Sequence, residues 1–149
     1  MDYFEQTMAF REVEVSFNNE ESGVTLSGTL SLPQEDGKLP AVILFPGSGA
    51  VDRDSTLGEY KAFKIIAYYL AEKGIAVLRF DKRGVGKSTG EFATVTEEDF
   101  VQDGCVAIKY LQSRSEINPK HIGLIGHSEG GLIASMLAGR SEDMKLFYG

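Results

Sequence analysis

Five consecutive residues, Gly126-His127-Ser128-Glu129-Gly130, carry the strongest chemical signal in the chain. They match G-x-S-x-G, the pattern of a sharp strand-to-helix turn that holds a serine nucleophile for acyl transfer. Their surroundings fit that reading. The apolar run Ile122 to Ile125 predicts a buried strand, and the segment through Leu132, Ile133, Met136 and Leu137 predicts a helix from near Ser128 to about Gly139. The glycines answer a steric demand, because side chains two residues to either side of the serine would collide with neighbouring backbone. The Ser128 hydroxyl is therefore expected above the C-terminal edge of a sheet. The N–H groups and positive dipole end of the following helix would face any oxyanion formed there.

A second segment, Leu44-Phe45-Pro46-Gly47-Ser48-Gly49, closes the apolar run Ala41 to Phe45. Ligands bind at the C-terminal ends of parallel strands, so Gly47 and Gly49 are candidate substrate contacts. His127 is a third, read as a packed support rather than the base, since consecutive residues on a sharp turn diverge. Asp81 and Arg83 read as an ion pair anchoring the turn Gly84-Val85-Gly86. His121 is placed at the start of its strand, away from the site and on the surface. Cys105 falls on an apolar helix face and reads as core, and Tyr68 and Tyr69 read as packing residues.

The elements that must position these groups follow from periodicity. Val13, Val15 and Phe17 alternate with polar residues, as do Val24, Leu26, Gly28, Leu30 and Leu32, which predicts an antiparallel hairpin with one wet face. Ala41 to Phe45, Ile75 to Leu78 and Ile122 to Ile125 are nearly continuous apolar runs, as in strands buried on both faces. Phe63, Ile66, Ala67 and Leu70 recur at helical spacing, predicting a helix over 60–73 that stops at Gly74. A second helix starts after Thr96, with Asp99 as its capping-box partner, carries Val101, Cys105, Ile108 and Leu111 on one face, and ends before Asn118-Pro119. A hairpin followed by repeated strand-helix-strand units predicts an α/β fold, three-layered, with a mainly parallel sheet and an N-terminal antiparallel hairpin.

With the turn at Ser128 in this setting, the chain resembles the α/β-hydrolase superfamily over nearly its whole length from about Val13 onward. Asp52-Arg53-Asp54 and Asp81-Lys82-Arg83-Gly84-Val85-Gly86-Lys87-Ser88 are similar to bacterial esterases and acyl hydrolases, in a subset near dienelactone hydrolases and prolyl-oligopeptidase-like proteins. The resemblance implies a serine hydrolase cleaving an ester, thioester or amide through an acyl-serine at Ser128. It implies that residues 44–49 are the oxyanion-hole loop, with Pro46 where many members carry histidine. The hole would combine the N–H of Ser48, a position that sequence alone does not separate from Gly49, with the N–H of Glu129. No metal or organic cofactor is implied, and the substrate would be a small ester or acyl compound or a short peptide.

The family order is serine, then acid, then histidine. Here both histidines, His121 and His127, precede Ser128, and the later acids are Glu129, Glu142 and Asp143. Met144 to Gly149 reads like the start of a sixth strand. The expectation is a single domain over residues 1–149, incomplete at its C-terminus, inactive or weakly active alone, and self-associating through an exposed sheet edge. A non-catalytic binding or scaffold protein that keeps the sheet and the turn is the alternative.

Composition narrows the rest. The 149 residues are 42% apolar and 25% charged, enough for one domain with a core. Fifteen Lys and Arg against twenty-two Asp and Glu give a net charge of −7, which disfavours a nucleic-acid or anionic-membrane surface. No apolar run approaches the roughly 18 residues that span a bilayer. The acidic start Met1-Asp2-Tyr3-Phe4-Glu5 is unlike a signal peptide, and Cys105 is the lone cysteine, so a cytoplasmic protein is expected. Gly84-Val85-Gly86-Lys87-Ser88-Thr89 resembles the end of a phosphate loop, yet Asp81 stands where that pattern needs glycine. G-x-G-x-x-G is completed nowhere, because Asp52 and Thr89 occupy the sixth positions.

Overall fold

Strand and helix periods translate into eleven elements in the computed structural model, which describes residues 9–140 and 144–148. In chain order they are β1 (Phe10–Asn19), β2 (Val24–Pro33), β3 (Leu39–Phe45), β4 (Thr56–Leu57), β5 (Tyr60–Lys61), α1 (Ala62–Glu72), β6 (Ala76–Phe80), α2 (Glu97–Ser113), β7 (Ile117–Gly126), α3 (Glu129–Gly139) and β8 (Met144–Tyr148). Six strands form one sheet in the order β1-β2-β6-β3-β7-β8, and β4 and β5 make a small separate hairpin. The β1-β2 and β2-β6 pairs are antiparallel, whereas β6-β3, β3-β7 and β7-β8 are parallel. The C-terminal ends of β3, β6 and β7 therefore lie along one edge of the sheet.

Strand β3 shows why the runs had to be continuously apolar. Ala41, Ile43 and Phe45 join the larger core, which also holds Val101 and Leu111 of α2 and Ile133 and Leu137 of α3. Val42 and Leu44 face the other way, toward Phe63 and Ala67 of α1. Each fully buried aliphatic chain, such as Ile43 or Leu124, contributes about 1.5–3 kcal/mol relative to exposure. Helix α2 begins as expected: Thr96 Oγ1 accepts from the Asp99 N–H at 3.1 Å and the Asp99 carboxylate accepts from the Thr96 N–H at 2.9 Å. The small Gly104 lets α2 approach α3, because a Cβ there would stand 2.5 Å from Leu137 Cδ1.

Four expectations need correction. Helix α1 starts at Ala62 rather than Tyr60, because Leu57 pairs with Tyr60 across Gly58-Glu59 in the β4-β5 hairpin. Tyr69 is 63% exposed rather than packed in the core, and Lys73 lies over its ring. Strand β7 begins at Ile117, so exposed His121 sits inside the strand rather than at its start. The outward face of β2 is not wet, since Thr29 and Ser31 are buried. Arg53 Nη1 donates to Thr29 Oγ1 at 2.9 Å and Arg79 Nη1 to Ser31 Oγ at 3.2 Å. Alternation reads a strand's own polarity and cannot see an arginine arriving from another segment.

Candidate active site

Ser128 occupies the N-cap of α3 with φ 54° and ψ −120°. A non-glycine residue held there costs on the order of 1–3 kcal/mol, and such strain collects at functional sites. Serine at an N-cap ordinarily spends its hydroxyl on a backbone N–H. Ser128 makes no such bond, and the residue is exposed. The turn is clamped by the His127 N–H donating to the Phe45 carbonyl at 3.0 Å and the Gly130 N–H donating to the His127 carbonyl at 2.9 Å. Its glycines are sterically required: a Cβ on Gly126 would lie 2.3 Å from the Gly130 carbonyl oxygen, and one on Gly130 2.0 Å from the Phe45 carbonyl oxygen.

The loop after β3 comes to the same place. A Cβ on Gly47 would lie 3.4 Å from His127 Cδ2 and 3.5 Å from Ser128 Cβ, so this loop borders the serine. Ser48 Oγ donates to Glu129 Oε2 at 3.0 Å, joining the loop to the first turn of α3. Among the described residues, neither the Ser48 N–H nor the Glu129 N–H donates to another protein group. Gly49 is a glycine for conformation rather than space, with φ 93° and nothing within 4 Å of a Cβ. His127 is exposed rather than packed in the core. The turn directs it outward over Gly47, which is what corrects that expectation.

The Asp81-Arg83 pair does not form. Strand β6 ends at Phe80 and the chain turns from Arg83, and the two side chains find different partners. Asp81 accepts from Arg53 Nη2 at 2.9 Å, from the Arg53 N–H at 2.7 Å and from the Lys87 N–H at 3.0 Å. Arg83 instead donates to Asp103 of α2 at 3.0 and 2.7 Å. Both side chains do anchor loops, with other partners. Burial pushes the Asp81 carboxyl up, but the bonds from the Arg53 side chain, the Lys87 N–H and the Arg53 N–H, with the Arg53 charge, outweigh it and hold the group below its ordinary value. A carboxylate depressed in this way contributes stability that is present above its unfolded pKa, about 3.9, and is lost as pH falls through the native value. Thermal midpoints are therefore expected to drop below about pH 4, and Asp81→Asn to remove part of that drop. An unchanged acid profile in the variant would assign the drop to other carboxyls.

Sequence reasoning missed Lys82. It is 6% exposed two residues past the end of β6, and its Nζ donates to the carbonyls of Gly47 at 2.6 Å and Gly49 at 3.0 Å. The ammonium lies 3.9 Å from Glu129 Oε1 and 4.7 Å from the centroid of the Phe100 ring. The signal available was a lysine directly after a buried strand, where a free surface cation is not expected. A cavity of about 20 Å³ lies under the turn, lined by Phe45, Phe80, Lys82, Phe100, Glu129 and Ile133. It has room for about one water, not for a substrate. Among the described residues no three His, Cys, Asp or Glu side chains are grouped to hold a metal, and no helix is long and apolar enough to cross a membrane.

A hairpin-led, mostly parallel sheet with helices on both faces and a strained serine between β7 and α3 defines an α/β-hydrolase fold. Residues 56–147 match the family model described as serine aminopeptidase, S33, and the chain belongs to that family. Esterase EstD of Thermotoga maritima is 34% identical over 134 residues, covering 90% of this chain and 31% of that protein. The chain thus spans about a third of the length of that curated relative. The crystal structure of the alpha/beta hydrolase GrgF from Penicillium sp. sh18 superposes with a TM-score of 0.80 at 25% identity, covering 93% of this chain and 45% of that one. Est1E from Butyrivibrio proteoclasticus, solved with ferulic acid bound, gives 0.73 at 25% identity, covering 89% of this chain and 50% of that one.

Proposed function

We propose that this chain carries the nucleophile and oxyanion hole of a serine hydrolase. The observation that carries this is the Ser128 hydroxyl, held at a strained, uncapped helix start beside the Gly47 loop. Ser128 Oγ would attack the carbonyl carbon of an ester, thioester or amide. The N–H groups of Ser48 and Glu129 would hold the oxyanion of the tetrahedral intermediate. The leaving alcohol, thiol or amine would depart with a proton, and water would release the acid from the serine. Small acyl compounds or short peptides are the proposed substrates, an esterase relative and an aminopeptidase family differing only in the group expelled from one acyl-serine.

No histidine of the described residues is bonded to Ser128, so its hydroxyl is a poor nucleophile near neutral pH. Ester turnover by the 149-residue chain is expected to be very weak, at most the ~10³–10⁴-fold over water that an oxyanion hole and binding sustain without a triad. Intact-mass spectrometry after fluorophosphonate treatment tests the reading. A slow adduct that disappears in Ser128→Ala is expected. A folded sample that gains no adduct, or gains it elsewhere, would favour the non-catalytic scaffold instead.

A further inference from the structure

An oxyanion hole works only if its donors are fixed before the charge develops. The Glu129 N–H is fixed by helix α3, but Ser48 lies in a loop with no ladder or helix to orient it. Lys82 reaches this loop through the carbonyls of Gly47 and Gly49 at 2.6 and 3.0 Å, the Gly49 carbonyl accepting also from the Val51 N–H at 2.9 Å. In a planar trans peptide the C=O and the next N–H point to opposite sides. Holding the Gly47 carbonyl therefore directs the Ser48 N–H away from Lys82, and holding the Gly49 carbonyl does the same for Ala50. A Cβ on Gly47 would lie 3.5 Å from Ser128 Cβ, so the loop held in this way borders the serine. The side chains of Ser48 and Glu129 are themselves joined at 3.0 Å, with Lys82 at 3.9 Å from the same carboxylate. One ammonium thus meets both halves of the hole.

We propose that Lys82 is a positioning residue for acyl transfer, its ammonium fixing the Gly47-Ser48 and Gly49-Ala50 peptides so that the Ser48 N–H is presented to the oxyanion. The role rests on the serine-hydrolase reading for its purpose, but the orientation of the two peptides does not. A cation makes the stronger, charge-assisted bonds to carbonyls, so the arrangement depends on protonation. Burial lowers the Lys82 pKa and the Glu129 charge raises it, leaving it below the ordinary lysine value. The groups facing this ammonium are Glu129 from α3, Phe100 and Asp103 from α2, and its neighbour Arg83. A carbonyl step is assigned to Lys82 by sharing the midpoint of its own Cε.

Carbon-detected NMR of the ¹³C,¹⁵N-labelled 149-residue chain tests this without needing a reactive serine. Between pH 7 and 11, the carbonyl carbons of Gly47 and Gly49 are expected to shift upfield with the same midpoint as Lys82 Cε. Lys82→Met should place both carbonyls at the alkaline end already at pH 7, with no later step. Lys82→Arg should restore them and also show no step. Carbonyls that stay still while Lys82 Cε titrates would overturn the proposal. If Lys82→Met does not fold, the wild-type titration and Lys82→Arg decide. Where the wild-type serine labels with fluorophosphonate, Lys82→Met is expected to slow labelling roughly 10- to 100-fold, and an unchanged rate would reduce Lys82 to a structural tie. Absent wild-type labelling with a normal carbonyl titration would count against the hydrolase reading and leave the peptide orientation standing.

Discussion

Asp103→Ala is expected to lower the unfolding free energy by about 3–5 kcal/mol, the cost of stranding a buried charge by removing its partner. Asp103 is 2% exposed and accepts from Arg83 Nε and Nη2 at 3.0 and 2.7 Å. It also accepts from Asn19 Nδ2 at 2.8 Å, across 84 residues of chain. Alanine would leave the guanidinium with Ser22 at 3.1 Å and Asp99 at 3.6 Å, and would leave the buried Asn19 amide without an acceptor. Urea unfolding measures the loss as a lower midpoint at unchanged slope. A loss under about 1 kcal/mol would mean that water reaches Arg83 and solvates it, as at exposed pairs. Because Arg83 follows Lys82, the variant also tests whether the β6 exit is held from α2.

Gly130→Ala is the second large effect. An added methyl would meet the Phe45 carbonyl oxygen at 2.0 Å and the Pro46 carbonyl oxygen at 2.6 Å. Both obstacles are backbone at the end of the central strand β3, so no rotamer change relieves them. Overpacking costs about 1–3 kcal/mol when side chains can yield and more when they cannot, so a loss of at least about 3 kcal/mol is expected here. Gly131→Ala is the comparison, since a Cβ there has its nearest neighbour at an ordinary 3.7 Å. Equal stabilities for the two variants would show that α3 can lift off β3 at little cost.

The legible part of the fold was the part written in local periods. Continuous apolar runs gave β3, β6 and β7, alternation gave β1 and β2, and Thr96 with Asp99 marked the start of α2. The serine turn was legible because its demand is local: strand, two glycines four apart and helix all lie within one short stretch. Charge pairing is not legible in this way, because partners come from far along the chain. Adjacency pairs Asp81 with Arg83, whereas Arg53, 28 positions earlier, reaches it. Tyr60 departs from the helical expectation for a local reason: its hairpin pairing with Leu57, three positions earlier, leaves no periodic trace.

The sequence by itself determined the order of elements and the serine turn, because backbone sterics and apolar period act between near neighbours. Only the tertiary structure decided which charges meet. Lys82 sits 35 positions from the Gly47 carbonyl it holds, and Arg83 sits 20 from Asp103. A buried cation must find acceptors wherever the sheet brings them. For Lys82 they come from the loop that leaves the C-terminal end of β3, beside β6 in the strand order β6-β3-β7, and for Arg83 from helix α2, so distance along the chain does not set either meeting.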